Sequence, residues 1–166
     1  MTMNIGDPIP AVLGTDQHGQ EITAASLAGR KVVLYFYPKD NTPGCTAEAC
    51  SLRDHYATLQ AAGYEVIGVS PDSAASHLRF IDKQQLPFRL IADTDKRLIE
   101  AMGVWGEKLM YGKTVMGLLR TTFLIDETGH IAHIFGPKQI KTKIHAEQIL
   151  DLGTPIRDKN SMKKVV

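Results

Sequence analysis

Cys45 and Cys50 are the only cysteines among 166 residues, and they stand five positions apart. A cysteine does chemistry as a thiolate, so what matters is whether its surroundings stabilise a negative charge. Thr42 and Pro43 have the residue types favoured at a helix N-cap and first helical position. Cys45 is therefore expected in the first helical turn, where unpaired backbone N–H groups and the helix dipole favour an anion. Taken in isolation, such a cysteine is more simply a buried structural residue. The setting of strand, turn and helix is what argues for a nucleophile.

Helical spacing separates the two sulfurs. Positions 45, 49, 52, 56 and 59 are Cys, Ala, Leu, Tyr and Leu, one stripe turned to the core. Cys50 lies about 140° around the helix, at ~100° per residue, on the face of Asp54, Ala57 and Ala61. Their Cα atoms would be roughly 8 to 9 Å apart, beyond the ~7 Å limit for a disulfide. Pairing them requires the start of the helix to unwind.

A sheltered thiolate and a second thiol within reach after local unfolding describe a redox cycle. A peroxide oxidises Cys45 to sulfenic acid, Cys50 condenses with it to a disulfide and water, and an outside dithiol reduces the bridge. The first step needs a cation to hold the thiolate and polarise the O–O bond. Arg120, just ahead of an expected strand at 122–125, is the candidate on position, because neighbouring strands bring their ends together. On position alone it is equally a solvent-facing arginine.

These residues need a scaffold. Residues 32–37, VVLYFY, are apolar on both faces, as a central strand covered from two sides must be. A long helix is expected from 43 to 62, closed by Gly63. Further strands are expected at 65–70, 88–92, 122–125 and 131–135, with a small hairpin in the first thirty residues. Helices are expected from a cap at Asp72 or Ser73 to 85, over 95–102 and over 142–152. Residues 104–119 show no clean period and contain three glycines, which reads as a long loop beside the pocket. The order implies a mixed α/β sheet with helices on both faces. Ligands bind such sheets beyond the strand carboxyl ends, where the turn 38–45 lies.

Composition narrows the functions. Hydrophobic residues are 43% and the formal charge is +1, so no global field points to nucleic acid or an anionic membrane. Two cysteines are too few for a disulfide scaffold, and six scattered histidines complete no four-ligand zinc module. No metal, haem, flavin or nicotinamide site is expected, so no cofactor. No signal-like segment opens the chain, and no apolar run approaches the ~20 residues of a membrane helix, which makes the cytoplasm the expected location. One domain is expected over 1–152, followed by a polar tail at 153–166.

The stretch from Tyr35 to Cys50, YFYPKDNTPGCTAEAC, carries a Pro-x-x-x-Thr-x-x-Cys signature. Further motifs follow in order: Gly103-Val-Trp105-Gly-Glu-Lys, Gly112-Lys and Arg120-Thr-Thr-Phe-Leu-Ile-Asp126. Together they resemble the peroxiredoxins, specifically the bacterioferritin comigratory protein or Q-type subfamily, across nearly all of residues 4–152. The resemblance implies a thioredoxin-like fold and a thioredoxin-dependent, atypical two-cysteine peroxidase acting on hydrogen peroxide and organic hydroperoxides. It makes Cys45 the peroxidatic cysteine, Arg120 its electrostatic partner, Thr42 the group that orients the peroxide and Pro38 a shield against water. Cys50 matches the resolving position, and Gly44 and Glu48 become supporting residues. Thioredoxin or glutaredoxin is implied as electron donor, and a monomer as the functional unit. Thioredoxin itself would carry a cysteine where Thr42 stands, so a disulfide reductase is the weaker alternative, alongside a redox-switched binding module.

Overall fold

The computed structural model describes residues 2–153; the tail expected beyond them lies outside the described residues. Nine strands and six helices are described there. The main sheet has the order β5-β4-β3-β8-β9, built from β3 (Lys31–Phe36), β4 (Tyr64–Ser70), β5 (Arg89–Ala92), β8 (Thr121–Ile125) and β9 (Ile131–Phe135). Strands β3, β4 and β5 run parallel, whereas β8 is antiparallel to β3 and β9 is antiparallel to β8. The result is the mixed sheet of the thioredoxin-like fold that the resemblance implies.

Strand β3 is central because both of its faces are apolar. Val32, Leu34 and Phe36 join a core with Ile67, Val69, Ile91, Phe123 and Ile125. On that side lie β1 (Val12–Thr15), β2 (Glu21–Thr23), α1 (Ala24–Leu27) and α5 (Arg97–Ala101), the helices contributing Leu27, Leu98 and Ile99. Val33, Tyr35 and Tyr37 point the other way, into a core shared with α2 (Pro43–Asp54), α3 (Tyr56–Ala61), α4 (Ala74–Gln84) and α6 (His145–Gly153). Helices therefore cover both faces. Gly68 of β4 lets the Tyr35 ring cross the sheet: a Cβ there would meet Leu90 Cδ2 at 2.7 Å and the ring at 2.9 Å.

Several local expectations change. The helix expected over 43–62 breaks at His55 (φ −107°, ψ 14°), whose Nδ1 sits 3.0 Å from Ser51 O. The core stripe survives the break, with Cys45, Ala49, Leu52 and Leu59 all buried. Residues 104–119 are not a loop. They hold a second sheet, β6 (Trp105–Met110) paired antiparallel with β7 (Lys113–Leu118), closed by Tyr111 and Gly112 at φ 53° and 78°. Positive φ at both central positions gives the twist of a tight hairpin turn. Ser73, not Asp72, caps α4, its side chain accepting from Ser76 N. The last helix is entered through a 3-10 turn, Thr142–Ile144.

Candidate active site

The site grows from the junction of β3 and α2. Phe36 at the end of β3 pairs with Thr121 at the start of β8, so the chain just before β8 arrives beside the turn that leads into α2. That register delivers Arg120 to Cys45, as the expectation from neighbouring strand ends required. Arg120 Nη2 donates to Cys45 Sγ at 3.2 Å, and Nη1 donates to Glu48 Oε1 at 2.6 Å. The solvent-facing alternative for Arg120 is excluded by these two contacts. Gly44 leaves room for the guanidinium, since a Cβ would meet Nη2 at 3.3 Å.

Cys45 and Glu48 are both buried, one helical turn apart on the inner face of α2. Burial of the Glu48 carboxylate outweighs the neighbouring cation and lifts its pKa to about 7. Desolvation opposes the charge on Arg120, yet the opposing charges at Glu48 and Cys45 hold its pKa above the usual arginine value. The second Glu48 oxygen, Oε2, has no hydrogen-bond partner among the described residues and lies 3.8 Å from His145 Nε2. His145 is itself buried, which pulls it down to about 4 and keeps it neutral. Its Nε2 lies 2.8 Å from Thr122 Oγ1, and its Nδ1 lies 2.9 Å from Gln148 Oε1. A neutral ring protonated at Nδ1 satisfies both contacts.

Thr42 occupies the N-cap position with extended backbone (φ −91°, ψ 154°), as its type suggests, but its side chain makes no cap hydrogen bond. Its hydroxyl turns back and donates to Lys39 O at 2.9 Å, leaving its lone pairs open. Pro43 has no N–H to offer, and the following amides of the first turn point outward from the helix start beside Cys45. Pro38 is half-buried at the mouth of this turn. Cys50 sits elsewhere: half-buried on the outer face, its Sγ donates to Gln84 Oε1 of α4 at 3.4 Å. Both cysteines are free thiols within one continuous helix, as the five-residue spacing implies.

Two buried groups were not legible in the sequence. Asp40, inside the turn, accepts from Tyr37 Oη at 2.6 Å and Ser76 Oγ at 2.8 Å, and its Oδ2 lies 2.8 Å from His77 Nδ1. His77 completes its bonding with Nε2 at 2.9 Å from Ile91 O. No spacing rule joins residues 40 and 77. The weak sign was a histidine on the inner face of an amphipathic helix, beside the core residue Phe80.

The pattern of the AhpC/TSA family matches residues 5–134. The chain belongs to the AhpC/TSA family. Among the relatives in it, the chain is 42% identical over 149 residues to peroxiredoxin Bcp of Escherichia coli K12, covering 90% of this chain and 94% of that protein. It is 41% identical over 150 residues to peroxiredoxin Bcp of Bacillus subtilis 168, with the same coverage of 90% and 94%. Among solved structures, peroxiredoxin Q of Xanthomonas campestris superposes with a TM-score of 0.77 at 38% identity, covering 84% of this chain and 87% of that one. A cysteine-to-serine mutant of Xylella fastidiosa PrxQ superposes with a TM-score of 0.81 at 37% identity, covering 91% and 95%. The Bcp and Q members of the family are thiol peroxidases, and the alternative of a dithiol reductase is not favoured. The two thiols of this chain accord with an atypical two-cysteine enzyme.

Proposed function

We propose that the protein reduces hydrogen peroxide and small organic hydroperoxides, with Cys45 as the attacking sulfur and Cys50 as the resolving one. The observation that carries the reading is the Arg120 guanidinium 3.2 Å from Cys45 Sγ at a helix N-terminus. The Cys45 thiolate attacks the terminal peroxide oxygen, the O–O bond breaks, and the alkoxide leaves and takes up a proton as an alcohol or water. Arg120 holds the anion and stabilises the charge that develops across the O–O bond. The free lone pairs of Thr42 Oγ1 accept the peroxide O–H, and first-turn amides, Gly44 among them, face the same oxygen. Pro38 keeps water from the sulfur, and Glu48 fixes the guanidinium through its 2.6 Å bond.

The sulfenic acid then condenses with Cys50: an S–S bond forms and water leaves. Thioredoxin or glutaredoxin returns the disulfide to two thiols, with the protein acting as a monomer in the cytoplasm. No metal or organic cofactor enters the cycle. The test is peroxide consumption with a thioredoxin system by wild type, Cys45→Ser and Cys50→Ser. Cys45→Ser is expected to lose all turnover, and retained turnover would overturn the reading. Cys50→Ser is expected to oxidise Cys45 once and then stop with thioredoxin as donor.

A further inference from the structure

The helix that carries both sulfurs is tied at two ends to one neighbour. Ahead of Cys45, the turn is gripped through Asp40. Its Oδ2 accepts from Ser76 Oγ at 2.8 Å and lies 2.8 Å from His77 Nδ1, both residues belonging to the first turn of α4. The backbone N–H of Asp40 donates to Asp72 Oδ2 at 2.8 Å, just before α4 begins. Behind Cys45, the last residue of α4 takes over. Gln84 receives Cys50 Sγ at 3.4 Å on its side chain and Arg53 Nη1 at 2.7 Å on its backbone carbonyl. Eleven residues of α4 thus span the whole segment, roughly 16 Å at helical rise. His77 anchors the clamp to the sheet, because its other nitrogen bonds Ile91 O of β5.

We propose that α4 is a clamp that sets how fast the segment around Cys45 unwinds, with His77 and Ser76 as positioning residues for the resolving step. The inference rests on the Cys45–Cys50 cycle proposed above. Condensation of Cys45 sulfenic acid with Cys50 needs the first turns of α2 to open, and opening strains the bonds to α4 at either end. The clamp therefore decides between two fates of the sulfenic acid. Opening leads to the disulfide and water. Staying folded leaves the sulfur beside Arg120, where a second peroxide adds an oxygen to give sulfinic acid and releases an alcohol or water. A tight clamp favours the second fate, a loose one the first.

The experiment reads that partition. Because His77 is fully buried, Ser76→Ala and Arg53→Ala carry the test, both at positions partly open to solvent. Each variant and the wild type receive one equivalent of hydrogen peroxide. Acid quenching and mass measurement then follow sulfenic acid, disulfide and, at excess peroxide, sulfinic acid. Releasing one such hydrogen bond is expected to speed disulfide formation about fivefold and to lower the sulfinic share correspondingly. The double variant is expected to exceed either single one. Disulfide formation at the wild-type rate or slower in both single variants, with circular dichroism unchanged, overturns the clamp. Wild type that consumes peroxide yet never forms the Cys45–Cys50 disulfide overturns the resolving cycle, and the clamp with it.

Discussion

The two faces of β3 use the same strand for different ends. Toward α1 and α5 it presents Val32, Leu34 and Phe36, and the buried polar groups on that side serve the backbone. Asp93 accepts from the amides of Leu98 and Ile99, and Asp16 accepts from those of His18 and Gln20. Toward α2, α4 and α6 it presents Val33, Tyr35 and Tyr37, and there buried polar side chains bond one another. Tyr37, Asp40, Ser76 and His77 form one group; Cys45, Arg120 and Glu48 form a second; Thr122 and His145 form a third. Side chains that bond mainly to one another in a largely buried setting leave a charge few other groups to settle on. One face holds the fold together; the other stores polar groups that can respond to a reaction.

The sharpest way to break this contrast is to injure each face once. Phe36→Ala, on the apolar face, is expected to cost about 3–5 kcal/mol of stability in urea unfolding. The rate of Cys45 oxidation by the protein that remains folded should stay the same. Arg120→Met, on the polar face, should do the reverse. Oxidation of Cys45 by peroxide is expected to slow about 10²- to 10³-fold in stopped-flow measurements, with the fold intact.

A subtler test uses pH. Neutral, buried His145 has its pKa drawn from 6.5 to about 4, so its contribution to stability is complete above 6.5 and lost as pH falls toward 4. Glu48 is raised from 4.5 to about 7, so its contribution is complete below 4.5 and lost as pH rises toward 7. Between pH 4.5 and 6.5 the two slopes oppose each other. His145→Gln removes the first and exposes the second. Relative to wild type, its stability by urea unfolding should therefore fall between about pH 4.5 and 6.5 by an amount on the order of 2 kcal/mol. An unchanged pH profile would show that the polar face does not store charge in this way.

Much of this was legible in the sequence, for reasons that differ by residue. The VVLYFY run announced a strand buried on both sides, and Thr42-Pro43 announced a helix start, because each signal is local and strong. Arg120 came within reach only through strand pairing, which position suggested and register supplied. The β6–β7 hairpin escaped because it stands apart from the main sheet. Leu109, Tyr111 and Met116 are exposed on it, so no alternation of polar and apolar residues records its strands. The break at His55 has no glycine or proline to mark it. Thr42 took the expected place yet bonded Lys39 O, since a threonine hydroxyl at a turn has more than one backbone partner to choose from. The link between Asp40 and His77 joins distant stretches of chain, and no period or motif encodes it.

Cys45 and Glu48 share a single turn of α2, and Arg120 holds both. In the proposed cycle, the turn that opens to let Cys45 reach Cys50 also draws Glu48 away from the guanidinium. The oxidised protein then has no site in which to receive a peroxide, and the reduced protein has no disulfide to offer a donor. The two substrates never compete for the same form of the enzyme. The kinetics that follow are ping-pong, and the alternation is written into one turn of helix.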